Sequence, residues 1–189
     1  MDHHHFLLHK PHGFLSQFIY EKKRTKRLLG ELYSFPEGTM AIGRLDEDSE
    51  GLLLLTTDGM MSEIVRAKSV EKEYYAQVDG LITDEAIEQL QKGVEIGFKG
   101  IRYVTKPCQA KRIIELPDFI GTGRKIRDER HGPTSWVSIT VTEGKFRQVR
   151  KMTAAAGFPT LRLVRVRIGN TFLAGISAGE VKEVTSFDL

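Results

Sequence analysis

"AIGRLDEDSEGLLLLTTDG", residues 41–59, sets Asp46, Asp48 and Glu50 at alternate positions and then runs through Gly51 into four consecutive leucines. A short continuous apolar run bounded by turn residues reads as a strand covered on both faces, here 51–56. The Asp–Ser–Glu composition ahead of it favours a turn. A buried strand that starts from a carboxylate-bearing turn is what a carboxylate used for chemistry needs, with the core as anchor and the acid at a cleft. Beyond the strand, Asp58 caps a helix that begins "GMMSEIVRA" and runs to about Ala67.

Working outward, "HHFLLHK" (4–10) is a short strand ended by Pro11 and Gly13, and "RTKRLLGELYSF" (24–35) is a short amphipathic helix stopped before Pro36. "KEYYAQVDG" (72–80) alternates as a strand and turns at Asp79–Gly80. "TDEAIEQLQKG" (83–93) is the cleanest helix, capped by Thr83 and closed by Gly93. Further strands are expected at 101–105, 109–116, 135–142, 160–169 and 180–185, with a turn and helix over 144–157. The Gly-, Pro- and charge-rich stretch 117–134 is a long loop, a feature that is functional or disordered in a compact domain. Many strands with a few short helices give an α+β protein with an antiparallel or mixed sheet.

A chain of 189 residues suits one domain or two small lobes. It contains no run of about 20 apolar residues and no basic segment followed by a long apolar stretch at its start, so neither a membrane span nor a secretory signal is expected. Its one cysteine, Cys108, excludes an internal disulfide and any multi-cysteine metal site, and a cytoplasmic or organellar-matrix protein is expected, the cytoplasm first. Net charge is only +3, but it is unevenly spread. Residues 1–101 hold 12 basic and 17 acidic side chains, whereas 102–189 hold 16 basic and 8 acidic. The basic second half, together with "KKRTKR" at 22–27, suits a polyanionic partner; a solvated surface is the plainer alternative.

Several residue sets could carry chemistry. Asp46 and Asp48 could hold a divalent cation, but the calcium-loop spacing and the HExxH pattern are both absent, and Asp48 and Glu50 suit turn and surface roles. Asp46 differs in having Arg44 two positions away and Leu45 as an apolar anchor. A carboxylate in a closed cleft needs a cation to stay ionised. "EGKFRQVRKM" offers them: in a helix over 145–155, Phe146, Val149 and Met152 or Thr153 form the inward stripe, while Arg147, Arg150 and Lys151 share a flank. Such arginines pair with a carboxylate or clamp a phosphate. Tyr74 and Tyr75 point to opposite faces of their strand, one towards the core and one towards a cleft. His3, His4 and His5 read as a frayed terminus or a tag, His131 as solvated, and Cys108 as packing.

The blocks "HKPHGFLSQ" (9–17), "AIGRLDEDSEGLLLLTTDG", "EKEYYAQVDG" (71–80), "EGKFRQVRKMTAAAGFPTLRLVRVRIG" (143–169) and "LAGISAGEVKEV" together resemble the RsuA group of RNA pseudouridine synthases, in the same order and over most of the chain. The resemblance implies a pseudouridine synthase fold, a mixed, largely antiparallel sheet in two lobes flanking an active-site cleft. It implies one catalytic domain over 1–189 without the N-terminal S4 domain that many members carry. It makes Asp46 the nucleophile, sets Tyr74 against the target base, gives Arg150 the salt bridge to the aspartate, and has Arg44 hold RNA around the flipped nucleotide. With Arg147, Lys151, Lys22, Lys23 and Arg24 as further RNA contacts, the expected partner is structured ribosomal RNA of the large-subunit, 23S type. No cofactor, metal or protein partner is expected, and the protein is expected to be a monomer. A non-catalytic RNA-binding assembly factor and a metal-dependent nuclease using Asp46 and Asp48 are the rival classes.

Overall fold

The computed structural model describes residues 2–20, 26–67, 69–121, 123 and 125–189. It divides into two compact units, residues 1–70 with 165–189, and residues 71–164.

In the first unit, β1 (His5–Lys10) pairs antiparallel with β3 (Glu50–Thr56) along its whole length, from His5 opposite Thr56 to Lys10 opposite Gly51. On the far side of β1 lies β11 (Val181–Val184), and β2 (Met40–Ile42) pairs with the end of β3. Every residue of β3 is buried, as its unbroken apolar run requires. Leu52 to Leu55 are each almost wholly shielded, worth about 1.5–3 kcal/mol apiece. Strand β9 (Thr160–Ile168) follows β3 in the sheet order, and its residues 165–168 belong to this unit, extended by β10 (Thr171–Phe172). Gly51 has φ +109, and a Cβ there would stand 2.2 Å from the Arg165 carbonyl oxygen, so only glycine allows the strand this approach. The Arg165 guanidinium, itself buried, donates through Nε to the Leu52 carbonyl at 2.8 Å. Helix α1 (Gly59–Ala67) starts as expected from Asp58, whose carboxylate accepts from the Met60 and Met61 amides.

In the second unit the order runs from residues 160–164 of β9 through β4 (Lys72–Asp79) and β8 (Thr134–Val141) to β7 (Gln109–Ile113). The β4–β8 and β8–β7 ladders are antiparallel. Helix α2 (Asp84–Lys92) is capped by the Thr83 hydroxyl, which accepts from the Ala86 amide, and it buries Ala86, Ile87 and Leu90. These side chains join Ala76, Val78, Val137, Ile139 and, from α3 (Gln148–Ala155), Val149 and Met152 in one core. A separate hairpin, β5 (Glu95–Phe98) and β6 (Ile101–Val104), turns through Lys99 and Gly100. Both turn residues have positive φ, the conformation that matches the twist of a two-residue hairpin.

Several local expectations need correction. Of the helix expected over 24–35, the described residues 26–35 form only a single 3-10 turn, Leu29–Glu31, in which Gly30 disfavours extension and the Glu31 carboxylate accepts from the Leu28 amide. β7 stops at Ile113, and Ile114 is exposed. α3 starts at Gln148 because Arg147 is left-handed, φ 52, so Phe146 lies outside the helical stripe and is 65% exposed. The 117–134 loop is tied down at several described points. Arg162, almost fully buried, donates to the Ile120 and Gly121 carbonyls and lies over the Trp136 ring, while Arg127 pairs with Asp79 and donates to the Pro133 carbonyl. The terminal histidines are neither frayed nor loose: His5 opens β1 against the Thr56 hydroxyl, and His4 contacts Glu183 at 2.6 Å. Among the described residues no helix is long and apolar enough to cross a membrane.

Candidate active site

Asp46 lies half-buried on the turn between β2 and β3, next to buried Leu45 and exposed Arg44. The backbone of this turn is held from below by the segment after β1. Ser16 uses one hydroxyl twice, donating to the Leu45 carbonyl at 2.7 Å and accepting from the Leu45 amide at 3.0 Å. The Glu47 carbonyl accepts from the Gly13 amide at 2.9 Å, and within the turn the Ser49 amide donates to the Asp46 carbonyl at 3.0 Å.

The deepest part of this clamp is Lys10, whose side chain is fully buried. Its ammonium donates to the carbonyls of Phe14 at 2.8 Å, Pro11 at 3.0 Å and, at a long 3.4 Å, Glu47. Burial pushes the ammonium down to about 8 from 10.5, against the opposite pull of Glu47, Glu50, Asp48 and Asp46. A cation thus stands beneath a turn full of carboxylates, a role that composition does not reveal. The available signal was a lysine closing an apolar strand immediately before Pro11. Glu50, expected at the surface, is buried because it is the first residue of β3.

The clamp gives a checkable result. Lys10→Met strands the Pro11, Phe14 and Glu47 carbonyls and should lower stability at pH 7 by about 1–3 kcal/mol in chemical denaturation. The folded-state value lies below the unfolded one, so from about pH 8 to 10.5 the unfolded wild-type chain binds more protons than the folded one. Wild-type stability should therefore gain on that of the variant across this interval, and parallel pH profiles would contradict the burial of the charge.

In the second unit, Tyr74 lies at the start of β4 opposite Ile139, half-buried and packed on the core that also takes Val149 and Met152 of α3. It shares its face with Ala76 and Val78. Tyr75 points to the other face, where burial and then the Glu73 carboxylate raise its hydroxyl. Arg150 and Lys151 stand in the first turn of α3, and the Lys151 amide donates to the carbonyl of Arg147, the left-handed residue just before the helix, so the three do not share the expected helical flank. Arg150 is half-buried, and its Nε is shut off from solvent. Lys151 donates to the Gly97 carbonyl at 2.9 Å.

Gln148 explains why a polar residue stands between two arginines on a helix keyed to the core. It is buried, its Oε1 accepts from the Lys145 amide, and its Nε2 donates to Glu143 at 2.8 Å. Glu143 also accepts from the Tyr103 hydroxyl and the Lys106 amide. Burial alone would raise this carboxyl, but the hydrogen bonds from Tyr103, Lys106 and Gln148 outweigh it and hold it below the usual range. Glu143 and Gln148 thus fix the turn that delivers the α3 cations, and sequence reading identified neither in this role. Cys108 is packing, as expected: burial and then Glu143 push its thiol up to about 11. Lys22, Lys23 and Arg24 lie outside the described residues.

A family model described as RNA pseudouridylate synthase matches residues 4–155. A ribosomal large subunit pseudouridine synthase E of Xanthomonas axonopodis pv. citri is 41% identical over 167 residues, covering 87% of this chain and 85% of the relative. The protein of that name from Vibrio vulnificus is 40% identical, over 95% of this chain and 74% of its own length. Ribosomal large subunit pseudouridine synthase B of Bacillus subtilis is 31% identical, over 98% and 69%. Among solved structures, a pseudouridylate synthase crystal structure superposes with a TM-score of 0.74 at 24% identity, covering 96% of this chain and 70% of that one, a likeness of fold.

Proposed function

This chain belongs to the RNA pseudouridylate synthase family, and from that membership we propose that it isomerises a specific uridine of large-subunit ribosomal RNA to pseudouridine with Asp46 as nucleophile. The family is an enzyme family, and its likeness to the RsuA group extends over most of the sequence. The single observation that supports Asp46 in this role is its turn. A half-buried carboxylate rides on a backbone pinned by Lys10, Gly13 and Ser16. Asp48 and Glu50 share that stretch, yet Glu50 is buried at the strand start, and Asp46 is the acid adjoining the pinned Leu45.

In the proposed reaction the uridine is extruded into the enzyme, at a cost of a few kcal/mol that contacts to the RNA backbone offset. Arg44, Arg147 and Lys151 supply such contacts, joined by Lys22, Lys23 and Arg24. Asp46 acts on the nucleotide to break the C1′–N1 bond. The uracil turns in place and rejoins through C5, so that the C5 proton is lost, N1 gains one, and the product has the composition of the substrate. Tyr74 stacks on the base and assists removal of the C5 proton, and its half-buried position on the β4 core supports a fixed ring. Arg150 keeps Asp46 charged and oriented. The reading assigns residues 1–189 to one catalytic domain of a cytoplasmic monomer that needs no cofactor, metal or protein partner.

Loss of the C5 hydrogen supplies the test. Large-subunit rRNA labelled with tritium at uridine C5 should release label on incubation with the protein. An assembly factor would bind the RNA and release none. A nuclease would cut it and stop in chelator.

A further inference from the structure

The sequence places Phe146 among basic residues, and the structure leaves it 65% exposed at the entry to α3. A large apolar ring in water is informative when its surroundings are organised around it. Here the Lys151 ammonium lies 5.4 Å from the Phe146 centroid and also bonds the Gly97 carbonyl, tying the helix start to the β5–β6 hairpin. On the hairpin, the Lys145 ammonium lies 4.9 Å from the Phe98 ring and 5.1 Å from the Tyr103 ring, and Lys99 at the hairpin tip lies 5.4 Å from Phe98. Tyr103 is anchored from behind by Glu143. Over 95–104 and 143–151 there are six basic side chains, at 99, 102, 145, 147, 150 and 151, against two carboxylates: Glu143, engaged by Tyr103, Lys106 and Gln148, and Glu95, which pairs with exposed Arg102 at 3.3 Å.

Rings interleaved with cations on a strongly basic face match one chemistry: unpaired nucleotides, whose bases stack on aromatic faces while their phosphates meet lysine and arginine. A protein partner fits less well, since the face offers almost no carboxylate for pairing and its exposed ring stands among cations. We infer that the β5–β6 hairpin and the entry to α3 form a platform for single-stranded RNA flanking the target uridine, with Phe146 stacking on a base and Lys99 and Arg102 holding phosphates. This inference rests on the proposed synthase activity and adds to it a recognition surface outside the reacting residues.

The test uses the whole protein and a large-subunit rRNA fragment that the wild type modifies, with affinity measured across salt concentrations. Phe146→Ala should weaken binding roughly 5- to 150-fold, the range for loss of one stacked base. Phe146→Leu, which keeps the apolar bulk without the π face, should lose a comparable amount, and Phe146→Tyr should restore affinity. A double Lys99→Ala, Arg102→Ala variant should flatten the dependence of log affinity on log salt by about 1 to 2 units. Wild-type affinity in both the alanine and leucine variants would overturn the platform, as would a leucine variant that binds as well as the tyrosine one or an unchanged salt slope in the double variant. If the wild type modifies no rRNA, the synthase reading falls and the platform falls with it. If the wild type is active and Phe146→Ala binds normally, the platform alone is refuted.

Discussion

Asp46→Asn should bring pseudouridine formation below detection while leaving RNA affinity within roughly tenfold of wild type. The amide has almost the shape of the carboxylate, so the turn pinned by Lys10, Gly13 and Ser16 should keep its geometry. What is lost is the negative charge and the nucleophilic oxygen, the two properties that the proposed cleavage of the C1′–N1 bond uses. The proposal gives binding to cations elsewhere, so the damage should fall on turnover. Single-turnover assays with saturating enzyme, paired with equilibrium binding, separate the two. A variant that retains full turnover would remove Asp46 from the chemistry, and one that has lost binding as well would recast it as a structural residue of the turn.

Arg150→Met comes next in expected effect, a loss of turnover of roughly 100-fold or more with RNA affinity changed far less. Methionine keeps much of the aliphatic stem in the partly buried first turn of α3 while removing the guanidinium. The variant removes the group that the proposal gives the task of pairing with and orienting the nucleophile. A mild effect would transfer the pairing role to Arg147 or Arg44. Arg150→Lys divides the possibilities further: a point charge is kept but not the bidentate fork, so partial recovery favours charge and no recovery favours geometry.

Much of the fold was legible where the signal was local. The uninterrupted leucines of β3 and the Thr83 and Gly93 boundaries of α2 carry their structure within a dozen residues, and both elements are where pattern and cap chemistry put them. The short strands β6 and β11 were expected at 101–105 and 180–185, but β2 and β5 were not legible. β2 spans three residues and β5 only four with a glycine inside, and each is defined by its partner strand. The roles of three buried cations were not legible either: Lys10, Arg162 and Arg165 each turn inward to backbone carbonyls. For Arg162 and Arg165 the carbonyl lies about 40 residues or more along the chain. No window of sequence contains both ends of such a bond.

Among the candidate residues, the carboxylate turn of the first unit and the α3 cations of the second were legible as residue types at suggestive spacing, and the family resemblance implied roles for them. What holds them was not. The left-handed Arg147 could not be foreseen from "GKFRQVR", and it moved Phe146 from the expected core stripe into solvent. Gln148 and Glu143 gain meaning only through the hydrogen bonds that join them to each other and to Tyr103.

The most direct measurement of the central claim is nucleotide-resolution mapping of pseudouridine in unmodified large-subunit rRNA after exposure to the wild-type protein and, in parallel, to Asp46→Asn. The account predicts pseudouridine at a specific uridine with the wild type and unchanged uridine there with the variant. The same modification from both proteins, or from neither, would contradict it.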